Sequence, residues 1–206
     1  MPAIGSRFSR SATGRQLWAA TRALFVLTVL LGIAYPLVVT GIAQVVAPHR
    51  ADGSLVEVDG TIVGSALIGQ AFTDAGGNPL PQYFQSRPSA SDYDGRASGG
   101  SNLGPNSGEL AALIEERRAA VAALEGVDPA DVPPDAVTAS ASGLDPGISP
   151  EYAAIQVQRV AQERGIPVPD VQALVAAATS GRDLGVVGTP HVDVLALNLS
   201  LDREFR

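Results

Sequence analysis

From Ala23 to Pro48 the chain carries no charged side chain, and the run ALFVLTVLLGIAYPLVVTGIAQVV within it is apolar almost throughout. About 20 such residues suffice to cross the hydrocarbon core of a bilayer. A helix in a water-soluble core is rarely this long without a polar face. A cleaved signal peptide shares a basic start and an apolar centre, but its apolar region spans only about 7–15 residues. Residues 23–47 therefore read as one transmembrane helix. Trp18 at its foot suits the interfacial aromatic belt, and Tyr35 and Pro36 lie within it as further anchor candidates. Pro36 removes a backbone donor and is expected to kink the helix. Gly32 and Gly41 are not spaced as GxxxG, so the glycines give little pairing signal.

Charge gives the span a direction. Arg7, Arg10, Arg15 and Arg22 precede it with no acid among them, whereas the rest of the chain sets ten arginines against all 21 acids, a net of −11. Under the positive-inside rule residues 1–22 form a basic cytoplasmic N-terminus, and residues 48–206 form an acidic body outside the cytoplasm. The overall charge of −7 argues against a nucleic-acid partner, which needs a basic patch. The absence of cysteine excludes disulfides, zinc–thiolate sites and cysteine nucleophiles. Every one of the 14 basic residues is arginine, so a Walker-type lysine, Schiff-base chemistry and Ser–Lys dyads are excluded as well.

The body alternates strand and helix signals without an internal repeat. In Leu55–Val63 (LVEVDGTIV) two apolar-alternating runs flank Asp59-Gly60, a strong hairpin turn, and the second strand is expected to run on to Ile68. Residues 74–81 (DAGGNPLP) read as a turn. Leu110, Leu113, Ile114, Val121 and Leu124 share one face of a helix, and Asn106 with Glu109 resembles its capping box. Gly126–Pro134 is a proline-broken loop. Ala136–Ser142 is read as a short strand. Ser149-Pro150-Glu151 supplies an N-cap, a first-turn proline and a first-turn acid for a helix ending at Gly165. A further helix spans about Asp170–Ala178, and Val192–Leu199 (VDVLALNL) is read as a buried strand. The fold class is α+β: a single N-terminal transmembrane helix followed by a mixed α/β extracytoplasmic domain.

Candidate sites are sparse. The stretch Arg96–Leu110 (RASGGSNLGPNSGEL) contains SGGSNLG, which could cradle an anion, but it lacks the lysine of a phosphate loop and reads as a shaped loop leading into a helix. Asp92-Tyr93-Asp94-Gly95 has its glycine at the fourth position and Leu103 where a calcium loop needs glutamate, so it reads as a solvated turn. There is no G-x-S-x-G, and His49 and His191 read as surface residues. Asn198-Leu199-Ser200 fits a glycosylation sequon, discounted because the strand is expected to be buried. No catalytic residues and no metal site are assigned. Two other classes remain open: a membrane-anchored extracytoplasmic enzyme or binding protein, and a nucleotide-binding regulator, which would need the body in the cytoplasm.

Seven stretches in order then carry a resemblance: YPL (Tyr35–Leu37), GSALIGQAF (Gly64–Phe72), YFQSRPSA (Tyr83–Ala90), ASGGSNLGP (Ala97–Pro105), VTASASGLDP (Val137–Pro146), ISPEYA to RVAQERG (Ile148–Gly165), and VLALNLSLD (Val194–Asp202). Together they resemble the C subunit of the Kdp-type high-affinity potassium-transporting ATPase, over nearly the whole chain. Gln158 and Asp193 depart from residues common in that family. The resemblance implies a small single-span subunit of a plasma-membrane complex, partnered by a potassium-channel-like subunit and a P-type ATPase subunit that hydrolyses ATP. It implies a non-catalytic role in assembly, and a chaperone-like effect raising the ATP affinity of the ATPase subunit. No cofactor is expected to be held firmly, with ATP reached only through the complex. Arg87 and Arg96, in an otherwise acidic body, and Ser98, Ser101 and Asn102 are the candidate partner contacts.

Overall fold

The computed structural model describes residues 10–182 and 184–205. The chain divides into two compact units, the first ending at Gly53 and the second beginning at Ser54.

The first unit is helical: α1 (Arg10–Val29), a π turn (Leu30–Ala34), α2 (Tyr35–Val46) and a short α3 (Pro48–Ala51). Thr13–Val46 forms 34 consecutive helical residues, apolar enough to cross a membrane, with none of the apolar stretch buried. At about 1.5 Å per residue it measures about 50 Å, longer than the hydrocarbon core of about 30 Å, so there is length for tilt or for projection beyond the lipid. Trp18 and Tyr35 are exposed on this helix. The expected disturbance at Pro36 takes the form of the π turn just before it, where the Tyr35 amide donates to the Leu30 carbonyl five residues back. A proline ring crowds the carbonyl four residues earlier, here Gly32, and a widened turn relieves that contact.

In the second unit, β1 (Leu55–Val58) and β2 (Thr61–Ser65) form an antiparallel hairpin. Asp59 and Gly60 take φ of 51° and 77°, the paired positive values of a turn that matches strand twist. The second strand stops at Ser65 rather than Ile68, because the chain folds back in a Ser65–Ile68 bridge. Helix α4 (Gly108–Glu125) follows, capped by Ser107 and not by Asn106: the Ser107 Oγ accepts from the Leu110 amide at 3.4 Å. The proline-rich stretch holds a 3₁₀ turn (Pro129–Asp131) and then α5 (Pro134–Val137), where a strand over Ala136–Ser142 was expected. Pro134 presets the first helical φ and Asp135 suits the helix N-terminus, while serine side chains hold the residues beyond as a loop.

Three short strands, β3 (Gly147–Ile148), β4 (Thr179–Ser180) and β5 (His191–Asp193), form an antiparallel sheet with β5 central. Between them lie α6 (Pro150–Arg164) and α7 (Val168–Ala177). Helix α6 starts as the sequence indicates: the Ser149 Oγ accepts from the Tyr152 amide at 2.9 Å, and Gly165 ends it. Helix α8 (Val194–Glu204) follows, correcting the strand read over Val192–Leu199, of which only Val192 and Asp193 lie in β5. The Asp193 carboxylate caps α8 by accepting from the Ala196 amide at 2.8 Å. Val194, Leu197, Asn198 and Leu201 then fall on one buried face at helical spacing.

The core gathers around α6. Ala153 and Val160 meet Phe84, Val171, Val192 and Leu197, all fully buried. Each large aliphatic side chain buried this way stabilises the fold by about 1.5–3 kcal/mol.

Candidate functional site

Residues 84–89, the centre of the YFQSRPSA stretch, belong to no helix or sheet. Side chains take the place of a neighbouring strand. The Asn198 amide, 1% exposed, accepts from the Phe84 N–H at 2.9 Å and donates to the Phe84 carbonyl at 3.0 Å. The Gln156 amide does the same for Gln85, at 2.6 and 3.2 Å. A primary amide offers a donor and an acceptor side by side, so it can pair with a peptide as another backbone would.

Two arginines extend this clasp. Arg159 uses all five of its N–H donors: Nε and Nη2 reach the Glu125 carboxylate at 2.8 and 3.1 Å, Nη2 also reaches Gln156, and Nη1 reaches the carbonyls of Tyr83 and Pro81. Burial pushes the Glu125 carboxyl up and the adjacent guanidinium opposes it. Burial likewise raises the Tyr152 phenol, with Glu125 adding to the effect. Arg164 donates to the Gln82 carbonyl and to Asp202, both at 2.7 Å, with its guanidinium over the Tyr83 ring. The Tyr83 hydroxyl completes this corner by donating to Asp202 at 3.1 Å, and burial followed by the Asp202 charge raises that phenol.

Beyond the clasp, Arg87 is half-buried and turned inward. Its Nη1 pairs with Asp145 at 3.1 Å and its Nη2 faces the carbonyls of Thr138 and Ala139. The glycine–serine stretches interlock here. The Ser140 amide donates to the Pro88 carbonyl, Ser89 Oγ donates to the Gly143 carbonyl, and both the Gly99 amide and Ser98 Oγ donate to the Ser142 carbonyl. Gly143 sits at φ 71°, where a Cβ would strike Ser91 Oγ and lie 2.7 Å from the Gly99 oxygen. The structure thus brings together YFQSRPSA, ASGGSNLGP and VTASASGLDP as one joint.

The remaining candidate contacts sit outside that joint. Arg96 is exposed and tied to Asp94 at 3.2 Å, a pairing that lowers the Asp94 carboxyl. Ser101 and Asn102 are exposed, Asn102 with a left-handed φ of 54°. His49 and His191 are exposed. Asn198, the sequon residue, is buried on a helix rather than a strand. Among the described residues, no three His, Asp or Glu side chains are grouped to hold a metal ion.

The body also has a groove of about 750 Å³, walled by Val132–Asp135, by Ile148–Glu151 at the start of α6, and by Thr189–His191. Asp135 braces its floor, accepting from the Ser149 amide at 2.7 Å and the Ser149 hydroxyl at 2.8 Å. Asp131 and Glu151 are exposed on the groove lining, without side-chain partners among the described residues.

The clasp residues Glu125, Gln156 and Arg159 are not singled out by sequence reasoning, and Asn198 is singled out only as a discounted sequon. A signal exists: Gln156 and Arg159 share the α6 face that carries Tyr152, Ala153 and Val160. A polar group on an inward face needs a buried partner.

Comparisons with known proteins agree with the resemblance. Residues 17–203 match the family model KdpC, "K+-transporting ATPase, c chain". The chain is 54% identical over 189 residues to the potassium-transporting ATPase KdpC subunit of Kineococcus radiotolerans, covering 91% of this chain and 93% of that one. It is 53% identical over 182 residues to the subunit of the same name in Sorangium cellulosum, covering 87% and 93%. The corresponding subunit of Bradyrhizobium diazoefficiens is 48% identical over 204 residues, covering 92% and 97%.

Proposed function

Because the chain belongs to the KdpC family, the c chains of K+-transporting ATPases, we propose that it is the non-catalytic accessory subunit of an ATP-driven potassium uptake complex in the plasma membrane. Its partners are a potassium-channel-like subunit and the P-type ATPase subunit, and hydrolysis belongs to the latter. The family match along 187 residues, from 17 to 203, carries this reading. The body supports it, because the buried Gln156, Arg159 and Asn198 are consumed in holding its own backbone.

The four arginines of the N-terminus sit in the cytoplasm, the apolar helix spans the bilayer, and the acidic body lies outside. Trp18, Tyr35 and Pro36 belong to the anchoring segment. On this topology the body does not meet cytoplasmic ATP. Any gain in ATP affinity at the ATPase subunit passes through the membrane subunits as coupling between sites, worth about 1–3 kcal/mol. Arg96, Ser101 and Asn102 are the exposed contacts of the body with its partners, while Arg87 and Ser98 shape the loop that presents them.

Co-purification from membranes tests the assignment. An affinity-tagged chain should bring down two larger membrane proteins, and a chain that comes down alone refutes it. Protease added to sealed, right-side-out cells should digest the body, and protection of the C-terminus refutes the topology. The isolated body should bind ATP no more than weakly, and tight binding there refutes the indirect route.

A further inference from the structure

The groove has an unusual combination of walls. Its surface is mostly apolar, with Val132, Ile148 and several prolines, and it carries the two unpartnered carboxylates of Asp131 and Glu151. The other charged groups lining it are spent: Asp135 on Ser149, Arg87 on Asp145. The β4–β5 connection supplies Thr189 and Pro190, both exposed, to the groove. Prolines fix their own backbone, so such a groove is largely formed before anything enters it. Apolar walls with uncompensated negative charge complement an extended segment that presents apolar side chains around an arginine or lysine.

We propose that this groove is the docking surface for an extended, basic segment of a protein partner, seated with its cationic side chain between Asp131 and Glu151 and its apolar side chains against Pro134 and Pro190, the exposed apolar residues of the lining. The inference rests on the accessory-subunit reading, because it gives that subunit's partner a place and a chemistry. The contact is electrostatically steered and weakens with salt.

The test uses the full chain, tagged and purified from membranes with its partners. Asp131→Asn with Glu151→Gln should cut partner recovery at least about five-fold at physiological salt, and wild-type recovery should fall as salt rises. The same pair should lower the thermal melting of the purified chain by no more than a few degrees, the loss of the first-turn charge of α6. Glu116→Gln with Glu163→Gln, exposed acids outside the groove, should leave recovery unchanged. A photo-crosslinking residue at Thr189, exposed on the groove lining, should join the chain to a partner peptide containing arginine or lysine, read by mass spectrometry. Full recovery with the groove pair neutralised overturns the proposal. So does equal loss from both acid pairs, or a crosslink to a second copy of this chain. If the wild-type chain recovers no partner at all, the accessory-subunit reading fails first. If partners are recovered but nothing crosslinks at Thr189, only the groove fails.

Discussion

Replacing Asn198 with leucine asks whether side chains truly substitute for a missing strand. The substitution removes both hydrogen bonds to the Phe84 peptide, at 2.9 and 3.0 Å, and leaves its N–H and C=O buried without partners. Each orphaned group costs about 1–3 kcal/mol. The leucine recovers part of this, at most about 1.5–3 kcal/mol from its apolar surface. A net loss of about 1–4 kcal/mol is about 5- to 900-fold in an opening equilibrium. Hydrogen exchange on the full chain in detergent reads it directly. Amides of Phe84 and Gln85 should exchange faster by that factor, while amides in the middle of α6 change much less. Leu201→Ala is the comparison, since Leu201 is fully buried on the same helix. It should cost about 2–5 kcal/mol through a cavity and lower protection throughout the body together. If Asn198→Leu leaves the Phe84 amide as protected as before, or loosens α6 to the same extent, the clasp is not what holds this segment.

Further expectations concern the charges and the joint. Arg159→Met leaves the Glu125 carboxylate, whose side chain is 0% exposed, without its partner; it should destabilise the body by about 3–5 kcal/mol in urea unfolding, and adding Glu125→Leu should restore most of that loss. Gly143→Ala forces a left-handed alanine into Ser91 and Gly99, so the melting temperature should fall, with a cost of about 2–5 kcal/mol from strain and crowding combined. Asp74 is held below its ordinary value of 3.8, first by hydrogen bonds from Asn78, so its stabilising effect is complete above that value and is lost as pH falls beneath it. Protection of the Gly76 and Asn78 amides, taken as exchange relative to the intrinsic rate at each pH, should therefore fall on acidification below about pH 4, and Asp74→Ala should remove that pH dependence.

Local chemistry is legible in this sequence, and long-range pairing is not. The hairpin at Asp59-Gly60, the cap at Ser149 and the stop at Gly165 each follow from one or two residues whose backbone preferences decide the outcome. The membrane-length helix follows from the run of uncharged residues alone. The misreadings came where two local rules compete. Val192–Leu199 looks like a strand because its β-branched residues cluster at the start, yet Asp193 caps a helix and the apolar positions repeat at 194, 197 and 201. Ala136–Ser142 looks like a strand until Pro134 is given its weight as a helix initiator. The clasp was hidden for a different reason. Gln156 and Asn198 lie 71 and 114 residues from the peptides they hold, and no periodicity within a single sequence reports contacts of that range.

That separation bears on when the body can become itself. Phe84 is made first, and the amide that completes its pairing is made 114 residues later. Until α8 emerges, a peptide destined for the interior must stay hydrated. Maturation therefore waits for α8, and truncation ahead of Asn198 should yield polypeptides that reach the membrane but never set.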